Sequence, residues 1–218
     1  MSPALSPVKA LVRTWKSLGA PSGAGVVLAF GPQGPDLARA AQEALTPGSL
    51  TLLHPDRPPP RARFDTAPDS LADLAAARPG AFDLILAGGG LETGDLSHVR
   101  DRLEAVVDLL APAGVLAVAI DTLAAPVAAE FDSLLFPHLA RTGELGEDLP
   151  IRAPLPAAAW MLLIRASGLT LEAADGFGGQ SLPRDYADLH AARLAAYDPV
   201  ELATGTLRLI LRKSGDEA

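Results

Sequence analysis

The sequence has no cysteine among its 218 residues and few aromatic side chains, namely six Phe, two Trp and two Tyr. Without thiolates the chain cannot form a disulfide framework, a thiolate zinc site, an iron–sulfur cluster or a catalytic thiol. Its four histidines, at positions 54, 98, 138 and 190, include no pair spaced like His-x-x-x-His, so no metal site is predicted. No run of about 18 apolar residues occurs, and therefore no membrane-spanning helix is predicted.

Positive charge is also scarce, since 18 Lys and Arg stand against 26 Asp and Glu and give a formal charge of −8. Nucleic acid is not an expected partner, because binding its backbone requires a dense basic surface. Lys9, Arg13 and Lys16 lie in an acid-free stretch over 1–35, which fits either an organelle transit peptide or a basic amphipathic helix. The sequence shows no secretory signal, and the default expectation is a cytoplasmic protein.

The length of the chain fits one domain over 1–218, with an N-terminal helix and linker in 1–24. Gly and Pro contribute 20 residues each, a share that predicts many loops. Residues 121–153 and 178–203 carry no recognisable motif. We expect these two segments to elaborate one end of the domain as lid or substrate-binding elements.

Short apolar runs bounded by turn residues alternate with segments of helical periodicity along the chain. This alternation predicts an α/β fold in which helices cover both faces of a parallel sheet. The predicted strands cover 26–30, 50–53, 61–66, 81–87, 115–120, 169–174 and 205–212. The predicted helices cover 36–45, 70–77, 95–110 and 156–166.

Two glycine turns compete as the place where such a sheet would hold a ligand. In open α/β sheets, ligands bind outside the carboxyl ends of the strands, near the point where the strand order reverses. One candidate is Gly31-x-x-Gly34 after the first strand, where main-chain N–H groups and a helix N-terminus could approach a ligand. The other is Gly88-x-Gly90-x-x-x-Gly94, with Asp121 after the next strand as a ribose partner, a pattern similar to a dinucleotide fingerprint.

The start of the helix after Gly31 also follows from residue preferences. Gly34 suits the cap position and Pro35 the first helical position, since proline lacks the N–H that a helix start leaves unused. Asp36 favours the positive end of the helix dipole.

Four segments resemble class I S-adenosylmethionine-dependent methyltransferases, and the resemblance extends over about 25–213. The segment DRLEAVVDLLAPAGVLAVAI is the most specific, because it matches a helix, a Leu-x-Pro-x-Gly turn and the fifth strand of that family. The four segments are VVLAFGPQG at 26–34, FDLILAGGGLE at 82–92, DRLEAVVDLLAPAGVLAVAI at 101–120 and AAAWMLLIRASGLTLEAADGF at 157–177.

This resemblance implies a Rossmann-like, mostly parallel seven-stranded sheet with helices on both faces and an antiparallel last strand. It implies S-adenosylmethionine as cofactor and transfer of its methyl group to an oxygen, nitrogen or carbon nucleophile of a small molecule. A homodimer or a protein partner is compatible with it. The cofactor contacts that it implies are Phe30, Gly31, Gly34, His54, Asp65, Gly88 and Gly89, with Asp65 following the third strand and facing the adenine.

Two residues are candidates for catalysis. Asp121 ends a buried strand on the ligand side, where it could orient a nucleophile or accept its proton. The alternative for Asp121 is an N-cap of a helix over 122–128. His138 lies in the first of the two elaborations, where the family builds its substrate pockets.

The sequence departs from the family pattern at the ligand-binding positions. Ala29 stands where members usually carry an acid before the first loop glycine, and Gln33 and Pro35 replace two loop glycines. His54 follows the second strand in place of an acid, and a His cannot reproduce a bidentate carboxylate. A second hypothesis follows from these changes, namely a catalytically inactive methyltransferase-like subunit that binds a partner or acts as a scaffold.

Overall fold

The computed structural model describes residues 7–53, 65–67, 70–92, 96–122, 157–178 and 204–214. The predicted α/β class is confirmed, because strands and helices alternate through the described residues. In chain order the elements are α1 Pro7–Leu18, β1 Val26–Phe30, α2 Gly34–Ala44, β2 Ser49–Leu53, β3 Asp65–Ala67, α3 Leu71–Ala77, β4 Phe82–Gly88, α4 Leu96–Leu109, β5 Leu110–Asp121, α5 Ala157–Ala166, β6 Leu169–Gly178 and β7 Thr204–Lys213.

The strands form one sheet of seven in the order β3-β2-β1-β4-β5-β7-β6. Strands β1 to β5 pair in parallel, whereas β7 is antiparallel to both of its neighbours, β5 and β6. The order reverses between β1 and β4, which are hydrogen-bonded to one another. The carboxyl ends of β1 and β4 therefore form the switch point at which sheets of this kind bind ligands.

The sheet separates two hydrophobic layers, because its central strands are apolar on both faces. On one face, Trp15 of α1 and Leu37 of α2 pack against the sheet. On the other face, Val106 of α4 and both Trp160 and Ile164 of α5 do so. The expected placement of helices on both faces is confirmed for the described elements.

Helix α1 is packed into this core, as its amphipathic pattern predicts. Val8, Leu11, Val12 and Trp15 are buried, and they recur at the three- and four-residue spacing of one helix face. The indole Nε1 of Trp15 donates a hydrogen bond to the main-chain oxygen of Val118 in β5, at 3.3 Å. The basic side of the helix is left facing outward.

Several element boundaries differ from the sequence prediction, including the end of β6, which runs past the predicted 174 to Gly178. Strand β3 begins at Asp65, because its parallel pairing with β2 sets Asp65 level with Thr51. Helix α2 begins at Gly34, so that Gln33 takes the cap position predicted for Gly34. Helix α4 ends at Leu109, and β5 starts at the next residue. A turn is predicted around Pro112, but that residue lies within β5, where the register against β4 is irregular.

The Asp65 boundary matters for the site. Because β2 and β3 are parallel, their carboxyl edge is reached at Ala67, which pairs with Leu53. Asp65 is at the amino end of β3, so the prediction that it follows the third strand is wrong. The argument for its contact with an adenine is lost with that position.

An ion pair between α1 and α2 gives a first prediction. Lys9 Nζ donates to Glu43 Oε2 at 2.7 Å, and this hydrogen bond, with the charge of Lys9, lowers the pKa of Glu43. Because the pKa of Glu43 is lowered in the folded state, the pair stabilises the fold above the ordinary glutamate pKa of about 4.3 and is lost as pH falls through the lowered value. We expect Lys9→Met to raise the pKa of Glu43 toward its ordinary value, as measured by NMR titration of the side-chain carboxyl.

Arg13→Met is the matched control for this experiment, since it removes a positive charge from the same helix. It should leave the pKa of Glu43 nearly unchanged. Equal shifts in the two variants would show that the net charge of α1 acts on Glu43, and not the hydrogen bond from Lys9.

Candidate functional site

Two glycine turns meet at the switch point of the sheet. Phe30 ends β1 and pairs with Ala87 of β4, so the residues that follow these strands emerge side by side. Gly31 has a φ of +96° and Gly89 a φ of +76°, values in the left-handed region that side chains disfavour. The two turns predicted to hold a ligand are thus brought together, with Gly88 ending β4 between them.

The two turns are in direct contact with one another. A Cβ built on Gly31 would lie 2.4 Å from the main-chain oxygen of Gly89 and 3.1 Å from that of Gly88. A Cβ on Gly90 would lie 3.2 Å from the Cα of Gly31 and 3.4 Å from Cδ of Pro32. Glycine is therefore required at Gly31 for the packing of the two turns, independently of any ligand.

The N-terminus of α2 is poorly suited to bind an anion. The amide of Gly34 donates to the oxygen of Gly31 at 2.8 Å, which closes the turn, and Pro35 has no amide hydrogen. Asp36 places a carboxylate in the first helical turn, where it interacts favourably with the helix dipole. That carboxylate pairs with Arg39 at 3.1 Å. A phosphate bound here would find few hydrogen-bond donors and would lie close to the carboxylate of Asp36.

Gly34 has a packing role that the sequence did not indicate. A Cβ built on it would lie 3.1 Å from Cδ1 of Leu52 in β2. Its amide is already used within the turn. The predicted cofactor contact of Gly34 is therefore not carried by its N–H group.

A buried carboxylate follows the second glycine turn. Glu92 is 0% exposed, and its Oε1 would lie 3.4 Å from a Cβ built on Gly89. Burial lowers the pKa of Arg102 in α4, and the negative charge of Glu92 opposes that change. The sequence analysis assigns no role to Glu92. The signal that could have indicated one is an acid placed directly after a glycine turn and the buried Leu91.

Asp121 is held at the carboxyl end of β5 by the start of β7. The hydroxyl of Thr206 donates to Asp121 Oδ1 at 3.0 Å. The adjacent Thr122 is buried, and its hydroxyl donates to the main-chain oxygens of Thr204 and, at 3.2 Å, Gly205. Asp121 is partly exposed at the carboxyl end of β5, and its role in catalysis stays a prediction.

Several predictions fall on residues that the structure does not describe. His54, His138 and nearly all of 121–153 and 178–203 lie outside the described residues. Within the described part of the chain, no group of three or more His, Asp or Glu is arranged to hold a metal ion. No described helix combines the length and the apolar character needed to cross a membrane.

The described residues that directly follow β1, β4 and β5 include acids and no base. The described residues at 31–36, of which 34–36 belong to α2, and at 89–92 and 122 include no Lys, Arg or His, although Arg39 of α2 pairs with Asp36. Asp36, Glu92 and the strand-end Asp121 are the acids there. This arrangement favours a cationic group over a phosphate.

Comparisons with known proteins agree on the fold. No family model matches the chain, and no curated protein matches it in sequence. A S-adenosylmethionine-dependent methyltransferase from Archaeoglobus fulgidus is 9% identical with a TM-score of 0.61, covering 94% of this chain and 93% of that one. The 1,6-didemethyltoxoflavin-N1-methyltransferase of Burkholderia thailandensis, solved with 1,6-didemethyltoxoflavin and S-adenosylhomocysteine bound, is 17% identical with a TM-score of 0.56, covering 95% and 77%.

A third similar structure carries a different name. The [4+2]-cyclase SpnF is 15% identical to this chain with a TM-score of 0.59, covering 95% of this chain and 81% of its own. At such identities the likeness concerns the fold, and the chemistry depends on the site residues. The chain has the Rossmann-like fold of the class I S-adenosylmethionine-dependent methyltransferases.

Proposed function

We propose that the chain is an S-adenosylmethionine-dependent methyltransferase that acts on an oxygen, nitrogen or carbon nucleophile of a small molecule. The observation that carries this proposal is that the described residues at the switch point between β1 and β4 offer a phosphate few main-chain donors and include Asp36 and Glu92. S-adenosylmethionine carries a sulfonium, an ammonium and one carboxylate group, so its net charge is positive, and it has no phosphate. The residues present at the switch point therefore fit this cofactor.

A dinucleotide cofactor is a poorer fit to the same edge. Its pyrophosphate would require main-chain donors and a positive helix end. At α2 these are reduced by Pro35 and opposed by Asp36. At the second glycine turn, the buried charge of Glu92 lies beside Gly89, where a pyrophosphate would have to approach. Neither turn supports the dinucleotide alternative.

The cofactor would be held by the two glycine turns and the strand end before them. Phe30, Gly31, Gly88 and Gly89 would line its path across the carboxyl edge, and His54 would follow β2 on the ribose side. When bound, S-adenosylmethionine supplies a methyl group on a positively charged leaving group. The protein aligns the acceptor and excludes water. Asp121, steadied by Thr206, would orient the acceptor or take its proton, and His138 is the second candidate for that role.

A partner-binding or scaffolding subunit is the second candidate function. It is favoured by the direct contact of the two glycine turns, which explains Gly31 without any ligand. Ala29, Gln33 and Pro35 point the same way, since they replace the usual acid and two usual glycines. In that case a homodimer or a second protein would take the place of the small-molecule substrate.

Thermal unfolding with added ligands tests the proposal. S-adenosylmethionine or S-adenosylhomocysteine at about 100 times its dissociation constant should stabilise the fold by about 2.7 kcal/mol. For a domain of this length that stabilisation raises Tm by about 5–10 °C. NAD⁺ and NADH should leave Tm unchanged. A shift with NAD⁺ or NADH alone would contradict the proposal, and no shift with any of the four ligands would favour the scaffold.

A further inference from the structure

The carboxylate of Glu92 is placed where it can act on a ligand at the switch point. It is fully buried, and it lies beside the Cα of Gly89, on which a Cβ would be 3.4 Å from Oε1. Gly89 in turn contacts Gly31 across the two turns. The backbone of Gly89, with Pro32 packed beside it, therefore lies between this charge and the edge at which the cofactor would bind.

The charge of Glu92 is screened less than that of its neighbour in α4. Arg102 is partly exposed, so solvent reduces the reach of its positive charge. Glu92 is enclosed by protein, where the effective dielectric constant is lower and a charge acts more strongly. Glu92 lies beside Gly89, so its negative charge acts on that turn, and the described residues at 31–36 and 89–92 include no Lys, Arg or His.

We propose that Glu92 makes this site selective for the positively charged sulfonium of S-adenosylmethionine over the neutral thioether of S-adenosylhomocysteine. This inference rests on the proposed function. This selectivity distinguishes the cofactor from its own product, because methyl transfer converts the sulfonium into the thioether. Glu92 thus attracts the positively charged cofactor before methyl transfer. It does not attract the neutral thioether that is formed, and this difference favours product release.

A purely structural role for Glu92 makes a different prediction. If the carboxylate only fixed the turn against α4, its removal would loosen the site for both ligands alike. S-adenosylmethionine and S-adenosylhomocysteine share the adenosine and the amino-acid moiety and differ in the methyl group and its charge. The ratio of the two affinities therefore isolates the electrostatic effect from the folding effect.

Isothermal titration calorimetry on the full chain measures this ratio. We expect Glu92→Gln to weaken S-adenosylmethionine about 10-fold or more and S-adenosylhomocysteine about 2-fold or less, as for the loss of a nearby opposite charge in a buried site. Glu104→Gln is the matched control, because it makes the same change at an exposed position of α4. It should leave both affinities unchanged.

Other outcomes overturn the inference in distinguishable ways. Equal losses for the two ligands, or none, would leave Glu92 a structural residue while the proposed function stands. Wild-type protein that binds neither ligand would overturn the proposed function and this inference with it. If Glu92→Gln does not fold, Glu92→Asp keeps the charge one methylene further away. Because that variant keeps the negative charge, it should retain the preference, and its loss in a folded Glu92→Asp protein would count against an electrostatic role of Glu92.

Discussion

Replacing Gly31 with alanine is expected to cost about 2–5 kcal/mol of folding stability, from left-handed backbone strain and overpacking together. The new Cβ would lie 2.4 Å from the oxygen of Gly89, a separation that non-bonded atoms do not sustain. The turns after β1 and β4 would have to move apart, and with them the predicted ligand edge. The loss is a large share of the 5–15 kcal/mol typical of a folded domain.

Gly80→Ala provides the matched control for Gly31→Ala. Gly80 also has a positive φ, of +66°, but a Cβ on it would meet nothing within 4 Å. Its alanine variant should therefore show the backbone strain alone, about 1–2 kcal/mol. Urea unfolding of both variants separates the two costs. Equal losses would mean that the contact of Gly31 with Gly89 is not tight in solution.

Replacing Trp15 with alanine is expected to destabilise the protein by about 3–5 kcal/mol, the usual cost of removing a large aromatic side chain from a core. Trp15 is 0% exposed and anchors α1 to the sheet through its hydrogen bond to Val118. The same urea unfolding experiment measures the loss. A loss below about 0.5 kcal/mol, the range of surface substitutions, would show that α1 contributes little to the core.

The hydrogen bond of Trp15 can be separated from its bulk by comparing two phenylalanine variants. Trp15 and Trp160 are both fully buried, but the indole Nε1 of Trp160 has no hydrogen-bond partner among the described residues. Trp15→Phe leaves the Val118 oxygen without its donor, whereas Trp160→Phe removes an unsatisfied one. We expect Trp15→Phe to be the costlier by about 1–2 kcal/mol. Equal costs would mean that the bond to Val118 adds nothing.

The sequence predicted the elements better than their ends. The apolar runs of β1 and β4 were placed within about one residue, because a strand buried on both faces is nearly all apolar. The start of β3 was misplaced, since a three-residue strand has too little pattern of its own and is positioned by pairing with β2. The sequence predicts that β5 starts at 115, because Pro112 and Gly114 are typical of a turn. In the structure these two residues lie in an irregular stretch of β5, which begins at Leu110.

For the site, the sequence located Gly31, Gly88 and Gly89 but not what they touch. Their contact joins residues far apart in the chain, and periodicity carries no information about such pairs. The burial of Glu92 was missed for the same reason, because acids in loops are usually exposed.

The sequence by itself determined the class of the fold, the acidic balance and the places where glycine turns follow strands, since these depend on local preference and on the spacing of apolar residues. Only the tertiary structure decided the strand order, the insertion of β7 between β5 and β6, and the meeting of the two turns. It also showed that Glu92, an acid that follows a glycine turn, is buried beside Gly89 at the edge where the cofactor is predicted to bind. These features depend on which surfaces become adjacent when the helices cover the sheet, and that is a property of the packed chain as a whole.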